Sequence, residues 1–219
     1  MPVSPPLRLL LLAAGFGILI LMLQINLLAI AFDKLGLSPG SGLMLVLCAL
    51  LGSVINLPLV RIEAEEPAGP APPLPAWLQS LQPPFEGTTL IMVNVGGCVI
   101  PVCFSAYLLA HNPLPLIEVL SAVGLVSLVC YRLSRPIPRL GITMPALIAP
   151  FAAAITALLI SPQHAAPLAY ISGTLGVLIG ADLLRLGDIR KMGAAHASIG
   201  GAGTFDGIFI TGIVAALLA

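Results

Sequence analysis

Charged side chains are scarce in this sequence: 8% of 219 residues, against 58% hydrophobic ones. Soluble domains carry about 25% charged residues, so a water-exposed surface cannot be covered with this inventory. That shortage excludes a disordered chain, a coiled coil and a nucleic-acid-binding protein. The nine Lys and Arg residues balance the nine Asp and Glu residues, so net charge names no partner. Cysteine is equally uninformative. Cys48, Cys98, Cys103 and Cys130 all fall inside apolar runs, without a CxxC pair or histidines spaced for zinc. A disulfide scaffold is excluded and no metal or cofactor is expected. HExxH and GxSG motifs and a Walker A loop are also missing, which removes zinc proteases, serine hydrolases and P-loop nucleotide chemistry.

What the chain has is long apolar runs and a mean hydropathy of +1.09. A span needs about 20 apolar residues to cross a 30 Å core. Seven runs qualify or nearly so: 9–32, 40–60, 88–110, 114–131, 144–160, 167–184 and 199–219. The expected fold is therefore all-α, a polytopic bundle of about seven transmembrane helices forming a single membrane domain over 1–219. Seven spans place Arg8, Arg61, Arg132, Arg135, Arg139, Arg185, Arg190 and Lys191 on one side and Lys34 alone on the other. Basic loops stay in the cytoplasm, so the N-terminus is expected there. The setting is a cell membrane of the prokaryotic inner-membrane type, with the lipid bilayer as the first partner. Residues 61–87, with seven prolines and Glu63, Glu65 and Glu66, read as a Pro-rich cytoplasmic loop between spans two and three.

An acid near the bilayer centre costs about 2.5–3.5 kcal/mol on insertion scales, so each one needs a reason. Asp33, Glu63, Glu65, Glu66, Glu86 and Asp188 belong to loops, and Glu118 sits near a helix end. Asp182 and Asp206 remain, at the same end of two consecutive spans. Gly176 and Gly180, and Gly203 and Gly207, form GxxxG steps that let helices approach closely. The run Gly200-Gly201-Ala202-Gly203 is a poor helix, so an irregular segment and a cavity are expected there. Two carboxylates sharing such a site would divide into an acid and a base. Asn56 and Asn94 read as bonds between helices, and His196 as a loop residue beside Asp182.

Long segments of the chain, GTLGVLIGADL, SIGGAGTFDGIF, INLPL and NVGGCVIP, resemble the domain-of-unknown-function 1614 membrane family. That resemblance brings no activity with it. The C-terminal part is also similar to GxGD-type intramembrane aspartyl proteases, whose aspartates lie on adjacent helices near a Pro-Ala-Leu motif. This likeness implies Asp182 and Asp206 as catalytic residues. It implies Gly201, Gly203, Pro145, Ala146 and Leu147 as substrate-binding residues and a membrane protein or peptide as substrate. Here Pro145-Ala146-Leu147 precedes both aspartates, whereas in presenilin-type enzymes the motif follows them. Three readings stay open: an intramembrane aspartyl protease, a proton-coupled small-solute transporter built as a homo-oligomer, and a non-catalytic membrane subunit.

Overall fold

The computed structural model describes residues 24–65, 85–138, 141–201 and 207–219. The chain enters through α1 (Gln24–Lys34), turns by 107° and continues as α2 (Pro39–Gly52). Strands β1 (Asn56–Glu63) and β2 (Thr88–Asn94) follow. A π turn over Val95–Val99 then leads into α3 (Ile100–His111). Next come α4 (Leu116–Leu133), a short hairpin of β3 (Arg135–Ile137) and β4 (Gly141–Thr143), and α5 (Ile148–Ile160). Helix α6 (Ala165–Val177) passes through a second π turn, Leu178–Asp182, and a tight turn, Leu183–Arg185, into the short α7 (Leu186–Ile189). Strand β5 (His196–Ile199) and α8 (Gly207–Leu218) complete the described chain.

Helix α6 is the axis of the bundle, packed by α3, α4, α5 and α8. Its sequence is apolar or small on every side, which suits a helix covered all round. Tyr170, Leu168, Ile171 and Thr174 are fully or almost fully buried. The outward faces are the reverse of a soluble protein's. Leu51, Ile117 and Leu159 are 70%, 74% and 79% exposed, and apolar surface on this scale belongs against lipid or another protein. The described basic residues, Lys34 excepted, lie on β1, in the β3–β4 hairpin, or around the ends of α4 and α6. Lys34 lies at the opposite end, where its Nζ donates to Leu217 O at 3.0 Å and satisfies one of the carbonyls left over at the end of α8.

The helical content is as expected, but the span pattern needs correction. Among the described residues, Leu116–Leu133 and the run Pro162–Ile189 are long and apolar enough to cross a membrane, and the bent α1–α2 pair adds a third candidate. The runs 40–60 and 88–110 are not continuous helices. Helix α2 stops at Gly52, and β1 and β2 pair as antiparallel strands. Pro58 has no N–H for a helix interior, and Val60, Ile62, Thr88, Thr89 and Val93 are β-branched. An apolar run alone does not separate strand from helix. Parallel pairing of β5 to β2, Leu90 opposite His196 through Val93 opposite Ile199, completes a three-stranded sheet of order β1-β2-β5.

The GxxxG expectation also changes. Gly176 and Gly180 face α4, not α8. A Cβ on Gly176 would come 2.5 Å from Val126 Cγ1, and one on Gly180 would collide with the carbonyl oxygen of Ser127. We expect Gly180→Val to destabilise the fold by about 1–3 kcal/mol, read as a lower midpoint in thermal unfolding. The Pro-rich segment starts and ends at one place, since Ala64 N donates to Gly87 O at 2.9 Å. Replacing residues 67–84 with a short Gly-Ser turn is therefore expected to leave the unfolding midpoint nearly unchanged, because loop-closure entropy depends only weakly on length.

Candidate functional site

The second π turn sets where Asp182 points. Thr174 and Asp182 are eight residues apart, which in an α-helix of about 100° per residue puts them about 80° apart. A π turn accommodates one extra residue, which brings Asp182 back to within about 20° of the Thr174 face. That face looks toward α8. Asp182 is partly buried, and its Oδ2 accepts a hydrogen bond from Gly200 N at 3.0 Å. Gly200 and Gly201 have φ of +82° and +87°, a left-handed pair that residues with a Cβ rarely adopt. The turn directs the Gly200 N–H at the carboxylate. It also lets the backbone press on Cys98, since a Cβ on Gly200 would lie 2.8 Å from Cys98 N.

Asn94 builds the floor beneath that turn. It is fully buried and caps the first π turn, its Oδ1 accepting from Gly97 N at 2.7 Å. Its Nδ2 donates to Ser53 O at 2.6 Å and to Asn56 Oδ1 at 3.1 Å. Ser198 Oγ donates to the same Asn56 oxygen at 2.8 Å. The Asn94 side chain thus ties the end of α2, the start of β1 and the π turn, and Asn56 extends the network to β5. Gly96 lies so close to Ala49 O and Ser53 N that no Cβ fits there. Asn94, expected as a link between helices, does join the end of α2 to the π turn, but from the end of a strand, and Asn56 is a strand-end bond.

Arg185 holds the other wall. Its guanidinium donates to Tyr131 O at 2.6 Å, Ser134 O at 2.8 Å and Ser134 Oγ at 3.2 Å, and pairs with Asp188 Oδ2 at 3.0 Å. It also stacks 4.5 Å over the Tyr131 ring. This fork closes the C-terminus of α4 against the end of α6.

Of the residues expected in a site, Asp182 and Gly201 come together at the Gly200 turn. Asp206 and Gly203 fall within 202–206, outside the described residues. Pro145, Ala146 and Leu147 form an exposed turn opening α5, and Ile148 N bonds back to Pro145 O at 3.2 Å; they take no part in the Asn94–Gly200 cluster. His196 is exposed on β5. Sequence reasoning missed Ser198 and both π turns. Asn94 three residues before Gly97 is a capping signal that was available, whereas the π turns leave no mark in residue type.

The architecture is that of a helical protein with membrane-type apolar helices, closed at its basic end by a small sheet. Within that class, residues 50–218 match the family model described as protein of unknown function (DUF1614), and the chain belongs to this family. No functionally curated protein and no solved structure matches it. Every segment carrying the resemblance contributes to the Asn94–Gly200 cluster. Asn94→Leu is expected to remove its three hydrogen bonds and strand their partners, lowering stability by about 3 kcal/mol. Ser198→Ala, losing one bond, should cost about 1 kcal/mol in the same unfolding measurement.

Proposed function

We propose that this protein is a multi-pass membrane protein with a cytoplasmic N-terminus and that it works as an intramembrane aspartyl protease. Asp182 and Asp206 are its acid–base pair. The observation that carries the reading is the bond from Gly200 N–H to Asp182, at the end of a terminal strand. Strand β5 forms one edge of the sheet and runs directly into that turn. The opposite edge, β1, is interrupted by Pro58 and a register shift between Pro58 and Val60, devices that discourage pairing with another chain. β5 contains no proline.

An unwound substrate segment adds to the β5 edge as a strand, which brings its peptide bond to the Gly200–Gly201 turn beside Asp182. One aspartate, ionised, takes a proton from water while the water oxygen attacks the carbonyl carbon. The other, protonated, delivers its proton to the leaving nitrogen as the C–N bond breaks. Gly201, lacking a Cβ, lets the substrate approach the turn, and Gly203 is a substrate-binding residue in this reading. Pro145, Ala146 and Leu147 serve, in this reading, as a contact for the substrate at the mouth of the site.

The test compares membrane proteomes of cells carrying the wild type, Asp182→Asn or Asp206→Asn. Each variant should cut its substrate about 10²–10⁴-fold more slowly, so an uncut membrane protein accumulates in both. Identical proteomes in all three overturn the protease reading. Solute uptake driven by a pH gradient in proteoliposomes, lost in the same two variants, would put proton-coupled transport in its place.

A further inference from the structure

A groove between α2 and α3 lies away from Asp182. The two helices meet at the basic end, where a Cβ on Gly52 would lie 3.0 Å from Gly96 N and 3.1 Å from Ile100 Cδ1. Toward the Lys34 end a groove of about 620 Å³ opens between them. Leu37, Ser41, Met44 and Cys48 line one wall, a stripe at helical spacing along α2. Phe104 and Tyr107 line the other. Phe104 is only 8% exposed, and the Tyr170 ring braces it edge-on with centroids 4.9 Å apart. The back of the groove is thereby fixed to the axial helix α6.

Size and polarity both say what fills it. From Leu37 to Cys48 the stripe runs about 16 Å at 1.5 Å per residue, about one leaflet of a 30 Å core. A helix about 10 Å across displaces about 1,250 Å³ over that length, about twice the volume of the groove, whereas an extended hydrocarbon chain is far thinner. Deep in the groove, Met44, Cys48 and Phe104 offer carbon and sulfur and no strong hydrogen-bonding side chain. The mouth is polar. Ser38 and Ser41 place their Oγ atoms 2.9 Å apart, and Tyr107 carries His111 stacked on its ring at 4.1 Å. Left empty, the groove would forfeit dispersion contacts along both walls. A molecule with an apolar tail and a polar head suits both ends.

We propose that the α2–α3 groove binds one phospholipid of the outer leaflet, an acyl chain running from the Ser38–Ser41 mouth to Cys48 and the ester and head group at the mouth. The site rests on the membrane placement proposed above and is independent of the chemistry at Asp182.

The test places the protein in phosphatidylcholine nanodiscs doped with a phosphatidylcholine that bears a diazirine at the end of one acyl chain. After irradiation the labelled residues are located by mass spectrometry. We expect label on Phe104 and Cys48, and a diazirine beside the ester should move it to Ser41 and Tyr107. Ile117 and Leu159, 74% and 79% exposed, report ordinary contact with bulk lipid. Ser41→Trp at the mouth and Cys48→Trp at the deep end each block the groove. Each should remove most of the Phe104 label and leave Ile117 and Leu159 labelled as before. Label on Ile117 and Leu159 with none on Phe104 overturns the proposal, as a second copy or a peptide then fills the groove. So does a Phe104 label unchanged in both Trp variants. No label at any of these positions overturns the membrane placement, and the site with it.

Discussion

Everything at the basic end of the molecule depends on backbones meeting without side chains between them. Gly96 lies against Ala49 and Ser53, and Gly200 against Gly97 and Cys98. At those distances the N–H and C=O groups of one segment are within reach of the next, and a single amide, Asn94, ties three of them. In an apolar bundle lipid tails compete with side chains for burial, so close approach and internal hydrogen bonding carry the association of helices. The sheet follows from the same constraint. Its strands occupy the stretch where the chain leaves the helices and each backbone polar group still needs a partner.

The candidate site inherits its geometry from that framework. Asp182 is aimed by a π turn and met by a left-handed glycine pair, and three residues further on the Arg185 fork binds the end of α4. Because Arg185 is engaged with Asp188 and with the α4 carbonyls, the nearby positive charge is committed to holding helices. A partly buried carboxylate beside an edge strand is a chemically useful combination, and it arises here from elements far apart in the chain.

Part of this was legible in residue order. The scarcity of charge, the apolar runs and the asymmetry of basic residues point to a helical membrane-type bundle. Asp182 stood out because an acid in an apolar run needs a reason. The strands were not legible, since Leu57-Pro58-Leu59-Val60 is as apolar as any helix, and pairing is a property of β2 and β5 as much as of β1. The partner of Gly176 and Gly180 was not legible either. Small residues announce a close contact without naming the helix that makes it, and the contact is with α4.

The sequence alone determined which residues avoid water, which acids are out of place and where the chain must bend or break, because these depend on transfer free energies and backbone freedom residue by residue. The tertiary structure decided which of those residues meet. The direction of Asp182, the bond from Gly200, the three-way tie at Asn94 and the packing of Tyr170 and Thr174 over Gly212 depend on helix rotation and strand register, which are settled only when separate segments pack against one another.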